Sequence, residues 1–231
     1  MALYMNGQEI SQSSGVPISG APISGATEPY IEEIYNSDGQ LISANMHGYD
    51  AIRSYMFRDC SNLALTSLPS GITSIGTNAF YGCTNLALTS LPSGITSIGT
   101  NAFQNCTNLA LTSLPNGITS IGSYTFYGCT HLALTSLPSG ITSIGISAFE
   151  NCPKLALTSL PSGLTSIGNN AFGKCTGLTS ITFTGTPTSI KNNAFSNCTN
   201  LTTINVPWAE GAVANAPWGA TNATIHYGYT G

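Results

Sequence analysis

Charge is what this sequence has least of. Only 6% of its 231 residues are Asp, Glu, Lys or Arg, against about 25% in ordinary soluble proteins. Its five Lys and Arg are scattered from Arg53 to Lys191. They cannot assemble a patch that neutralises a phosphate backbone, which excludes nucleic-acid binding. Between Ser61 and Phe149 there is no charged side chain of either sign, so solubility there rests on Ser, Thr, Asn and backbone. No apolar run approaches the ~18–20 residues of a membrane span. The start, MALYMNGQEI, lacks the basic stretch and longer apolar run of a secretory signal peptide. Hydrophobic residues nevertheless make up 42%, enough to build a core and to argue against disorder.

What is present is a period. Cys60, Cys83, Cys106, Cys129, Cys152, Cys175 and Cys198 are spaced by a constant 23 residues, and Phe57, Phe80, Phe103, Phe126, Phe149, Phe172 and Phe195 keep the same interval. Residues 61–83 and 84–106 differ at three positions only. A fixed period in this range, with Leu and Ile in fixed columns, predicts a leucine-rich-repeat solenoid. Within a rung, Leu63–Leu68 reads as a short strand, Pro69-Ser70-Gly71 as a turn, and Ile72–Ile75 as a second extended stretch closed by Gly76. Thr77-Asn78-Ala79-Phe80 reads as a helical turn with Thr77 or Asn78 as its cap. The predicted architecture is a right-handed coil of short parallel strands, turns and short helical turns, with rungs ~4.8 Å apart.

The NAFxxC pattern, with IG before it, a leucine after it and an LP turn, resembles the BspA-like class of leucine-rich repeats over about residues 40–225. That resemblance implies a bacterial surface or secreted protein with a part in adhesion. The family's strand reads Leu-x-x-Ile-x-Ile, and here only Leu178/Ile181/Phe183 and Leu201/Ile204/Val206 follow it. The earlier rungs carry LALTSL, with Thr66, Thr89, Thr112, Thr135 and Thr158 in the isoleucine column. Either a bulge turns Leu65 and its equivalents inward, the preferred arrangement, or threonine hydroxyls line the core wall. Failing both, the Leu65 column is an exposed apolar stripe.

The chain divides by this reading into a Gly/Ser/Pro-rich flexible arm (1–29), an N-terminal hairpin with a degenerate first rung (30–60), six full repeats (61–198) and a C-terminal cap rung and strand (199–231). The hairpin turns near Asp38-Gly39, and Trp218 falls in the phenylalanine column to plug the last rung. A solenoid needs such closures at both ends.

Catalytic chemistry finds little support. The cysteines share one column beside a phenylalanine and read as core thiols. A straight line of sulfurs does not make a tetrahedral metal site, so neither metal nor cofactor is implied. His47, His131 and His226 lie far apart in the repeat, and no Ser-His-Asp set emerges. Glu150 and Lys154 read as a surface pair. The expected function is therefore a non-enzymatic scaffold that binds a protein or glycan through one solenoid face. The candidate surface is Tyr81, Gln104, Tyr124, Tyr127, His131 and Glu150, where the repeats vary most and where tyrosines stand beside polar residues. A phage or prophage tail-associated receptor binder is the alternative, because no export signal is written. A further alternative is a threonine ladder (Thr73, Thr96, Thr119, Thr142, Thr165) binding ice or sugar. The family resemblance implies the cell surface or secretion, while virion association or the cytoplasm follows if no signal precedes Met1. Ligand identity and oligomeric state are not legible in the chain.

Overall fold

The computed structural model describes residues 29–230, together with two short strands, β1 (Leu3–Met5) and β2 (Gln8–Ile10), which pair antiparallel. The rest of the expected arm lies outside the described residues. An antiparallel hairpin follows, β3 (Tyr30–Tyr35) and β4 (Leu41–His47). Its turn is held by the Asn36 side-chain carbonyl, which accepts from the Asp38 and Gln40 amides at 3.0 and 2.9 Å. Gly39 takes φ 73°, a conformation that favours glycine. Leu41, Ala44 and Met46 of β4 are buried, and Ala64 of the first full rung donates to Ile42. The hairpin thus covers the open end of the core, where an uncovered rung would expose both apolar columns and ladder groups.

The remaining strands fall on two faces. On one face lie β5 (Ala51–Ile52), β6 (Ser74–Ile75), β7 (Ser97–Ile98), β8 (Ser120–Ile121), β9 (Ser143–Ile144), β11 (Ser166–Ile167) and β13 (Ser189–Ile190). On the other are β10 (Ser159–Leu160), β12 (Ser180–Phe183), β14 (Thr203–Asn205) and β15 (Thr224–His226). All pairings on both faces are parallel, and the Ser-Ile strands pair at a register of one repeat, Ser74 with Ser97 and Ser166 with Ser189.

The third face is made of turns. Ala79 donates to Gly76, Tyr81 to Asn78 and Cys83 to Phe80, each closing a turn of three residues. No α-helix occurs among the described residues, and the segment expected to be a helical turn departs from helix at its second residue, Asn78. Asn78, Asn101, Tyr124, Ser147 and Asn170 have φ between 50° and 58°, so Asn78 is a left-handed turn residue and not a helix cap. Asparagine suits that conformation because its short side chain bonds locally. The turn face is itself a ladder: Asn78, Phe80 and Gly82 donate to Thr100, Ala102 and Gln104 of the next rung. The Ser-Ile face donates the other way, Gly99 to Ile75 and Thr96 to Thr73. Every face therefore satisfies backbone groups between rungs, which one rung could not do alone.

Inside, the seven phenylalanines from Phe57 to Phe195 form one continuous stack, with adjacent ring centroids 5.1–5.6 Å apart and planes within 13°. Beside it runs a ladder of free thiols. Cys83 Sγ lies 2.9 Å from Phe57 O, and Cys106, Cys129, Cys152, Cys175 and Cys198 repeat the contact at 3.0 Å to the phenylalanine carbonyl of the preceding rung. Burial raises the thiols' pKa: Cys60 and Cys198 to about 11, the five between them well above their ordinary value.

The bulge is the arrangement adopted. Leu65, Leu88, Leu111, Leu134 and Leu157 are buried, whereas Thr66, Thr89, Thr112, Thr135 and Thr158 are exposed. In the regular rungs the inward set is Leu178, Ile181 and Phe183; in the bulged rungs it is Leu63, Leu65 and Leu68. The inward spacing changes from three-then-two to two-then-three. Ala87 still donates to Leu65 and Ala110 to Leu88, but a regular strand returns on this face only at β10. At the far end Trp218 is fully buried and its carbonyl accepts from Phe195. Phe183 and Trp208 pack edge-on beside it, at 5.2 Å from each other. Trp208 is a second closing aromatic that the repeat arithmetic did not single out.

Candidate functional site

The six candidate residues all lie outside the stacked interior, but they do not form one cluster. Tyr81, Gln104, Tyr127 and Glu150 occupy one column of the turn face, one per rung, and form a ridge along the solenoid axis. Arg58 heads this ridge, its guanidinium 5.2 Å from the Tyr81 ring centroid and 5.8 Å from that of Tyr55. Gln104 accepts from the Asn101 amide. Tyr124 leans on Tyr127 at 6.0 Å. Glu150 accepts from the Ser147 hydroxyl at 2.8 Å and faces Lys174 Nζ at 3.8 Å. Its cation is therefore Lys174 and not the expected Lys154, because stacking sets residue 174 beside residue 151 while Lys154 has already turned the corner. His131 sits apart, Nδ1 bonded to Thr107 O at 2.8 Å.

Most of the threonine column has its hydroxyls committed, Thr119 being the member with no such bond among the described residues. Thr142, Thr165 and Thr188 each donate to the carbonyl of the threonine one rung back, at 3.2, 2.8 and 3.0 Å. Such bonds stitch the rungs together.

A second feature was not among the expected sites. A shallow groove of about 390 Å³ runs along the corner between the Ser-Ile face and the turn face, from Ser120 through Ser143 and Ser166 to Ser189 and Lys191. The glycine column forms its floor. A Cβ on Gly145 would lie 2.6 Å from Ser123 N, and one on Gly168 2.6 Å from Gly145 C, so only glycine allows the rungs to close there. Lys191 takes the next place in that column and ends the groove. It makes no ion pair among the described residues. At the other end the Ser-Ile sheet is divided. Strands β5-β6-β7 form one sheet and β8-β9-β11-β13 another, with no pairing between β7 and β8.

The division coincides with a substitution in the turn face. Thr125 replaces the alanine seen at Ala79, Ala102, Ala148 and Ala171. Its buried hydroxyl is wedged between two backbone carbonyls, 3.3 Å from Gly99 O and 3.0 Å from Gly122 O. A Cβ on Gly122 would stand 3.5 Å from the Thr100 Cα, where the equivalent distances at Gly99 and Gly145 are 2.8 and 2.9 Å. The rungs stand farther apart at this junction, where the extra hydroxyl sits.

Beside the opening stand two exposed apolar side chains, Tyr124 (37% exposed) and Ile146 (48%). They adjoin through the backbone, Tyr124 N donating to Ile146 O at 2.9 Å. Ile146 lines the groove, so the groove and the tyrosine ridge meet at this lip. The signal was available in the repeats. Rungs 61–83 and 84–106 both read GTNAF, and the next two read GSYTF and GISAF.

Comparison with known proteins agrees with this architecture. The family described as "BspA type Leucine rich repeat region" matches residues 50–176 and 142–211, with six copies. A leucine rich cell surface protein from Faecalibacterium prausnitzii is 28% identical at a TM-score of 0.61, over 79% of this chain and 55% of that one. A leucine-rich repeat protein from T. pallidum is 28% identical with a TM-score of 0.51, over 76% of this chain and 81% of that one. One from Eubacterium ventriosum is 30% identical with a TM-score of 0.52, over 65% of this chain and 41% of that one. The chain thus spans only about half the length of the Faecalibacterium protein. No curated protein matches it significantly. No helix among the described residues is long and apolar enough to cross a membrane. From its 23-residue period, its stacked phenylalanines and its family match over most of its length, this chain belongs to the BspA-type leucine-rich repeat family.

Proposed function

We propose that the protein is a non-enzymatic recognition scaffold that binds a protein or glycan partner on its outer surface, at the cell exterior. One observation carries this reading. The interior columns repeat almost without change, while substitution concentrates at half-buried and exposed positions of the turn face and its corner. Arg58, Tyr81, Gln104, Tyr127 and Glu150 succeed one another in a single column. A rigid stack that presents varied side chains at regular intervals suits recognition, since the binding surface is preorganised and loses little entropy on association. Tyr and Arg are also the side chains that most often dominate binding energy. An exterior location is supported by the surface description of the Faecalibacterium neighbour.

The test is a paired screen of the purified chain on a broad glycan array and on a panel of extracellular-matrix and cell-surface proteins. Saturable binding to a member of either set is expected. Blank results on both at high protein concentration would refute the proposal.

A further inference from the structure

We infer that the groove from Ser120 to Lys191 is a peptide-binding site, and that it takes an extended segment carrying an apolar side chain at one end and a carboxylate at the other. This rests on the recognition reading above and names its ligand class. Four observations converge on it.

The groove has two defined ends. It begins at the unpaired junction of β7 and β8 and stops where Lys191 replaces the glycine of its column. Three rung steps of ~4.8 Å separate Ser120 from Ser189, a span of ~14 Å that an extended peptide covers with about four residues. Ser120, Ser143, Ser166 and Ser189 stand one per rung on the groove wall, with Ser123 a further serine in the first, so hydroxyls are presented at a regular interval to backbone amides and carbonyls.

The lip is apolar at Ile146, where every other rung carries Ser, Thr or Asn. Ile146 stands in the column of Thr77 and Thr100, and Tyr124 in that of Asn78 and Asn101. Neither is needed for the core, since both are among the most exposed large apolar side chains. Tyr124 moreover sits at φ 56°, a conformation unfavourable for a bulky residue and easy for the asparagine it replaces. Tyr55 holds the same column at φ 64° in the first rung, outside the groove, so it is Ile146 that sets this lip apart. An aliphatic wall such as Ile146 gains by covering an apolar side chain and has little to offer sugar hydroxyls, which favours a peptide over a glycan.

The far end is cationic. Lys191 is the single charged residue lining the groove and has no ion-pair partner among the described residues. Complementarity asks for a carboxylate there, from a free C-terminus or from an Asp or Glu side chain.

The probe is an array of random hexapeptides synthesised with free or amidated C-termini, with hits measured in solution by fluorescence polarisation. Selected peptides should carry an apolar residue about three to four positions from a carboxylate. Loss of binding on amidation identifies the terminal carboxylate as the source, and retention identifies a side chain; either supports the site. Ile146→Thr and Tyr124→Asn should each weaken binding about tenfold. Lys191→Gln should abolish the preference for a carboxylate. The first two variants restore residues that the same columns already hold, so they retain the fold, and thermal melts followed by circular dichroism verify this. Peptide binding that ignores carboxylates, or that is unchanged in all three variants, overturns the inference. So does a silent peptide array beside positive binding on the glycan or protein screen, which leaves the recognition role standing. Silence on every screen removes both.

Discussion

Raising the pH should unfold this protein steeply, for a reason built into its thiol ladder. Cys83, Cys106, Cys129, Cys152 and Cys175 are fully buried, and burial raises each thiol well above the ordinary value of 9.0. In the unfolded chain the same thiols ionise near 9. Above that pH the unfolded state therefore binds fewer protons than the native state, and stability falls as pH rises. Between pH 8 and pH 10 each thiol that stays protonated in the native state and ionises when unfolded costs about 1.4 kcal/mol. For five thiols the loss is about 7 kcal/mol, which rivals the ~5–15 kcal/mol stability of an ordinary domain. The assay is urea unfolding followed by circular dichroism at pH 8, 9 and 10, with reductant present throughout. The midpoint should move sharply downward. Cys106→Ala should recover about 1.4 kcal/mol of the pH-dependent loss, whatever its effect at pH 8. Stability at pH 10 within about 2 kcal/mol of that at pH 8 would refute the reasoning, because the thiols would then ionise without unfolding.

Three further outcomes follow from the packing. Phe103→Ala removes a fully buried ring stacked at 5.5 and 5.6 Å on both neighbours and should cost about 3–5 kcal/mol in urea titration; a loss under 1 kcal/mol would contradict the core assignment. Gly145→Ala should destabilise by about 1–3 kcal/mol, whereas Gly122→Ala, whose nearest contacts are threonine hydroxyls at 3.2 and 3.3 Å, should be milder, and equal effects would argue against a loosened junction. Thr125→Ala should let β7 and β8 pair, slowing hydrogen exchange of the Gly122 and Thr119 amides; unchanged exchange would show that Thr125 is not the wedge.

The stack was legible in the chain because its cause is repetition. Phe57 and Phe80, or Cys83 and Cys106, can superpose only if the backbone returns to the same place every 23 residues, and the interval states that directly. The direction of the Leu65 column was not legible. Both LALTSL and Leu-x-x-Ile-x-Ile offer three apolar residues to one wall, and only packing against the neighbouring rungs selects which leucine turns in. The left-handed turn at Asn78 escaped a helical reading because Asn-Ala-Phe suits either conformation locally, and the inter-rung bonds to Thr100 and Ala102 decide between them.

The sequence by itself determined the solenoid, its period, its buried columns and the absence of a charged surface along its middle, since all of these follow from which residue types recur and how often. Only the tertiary structure decided where that regularity fails. Thr125 differs from Ala102 by a few atoms, and in isolation either fits a turn. Once rungs lie one above another, that single added hydroxyl sits between two carbonyls of successive rungs, at the junction where the sheet is divided. The groove, its apolar lip and its terminal lysine belong to residues from successive repeats, and stacking alone makes them neighbours.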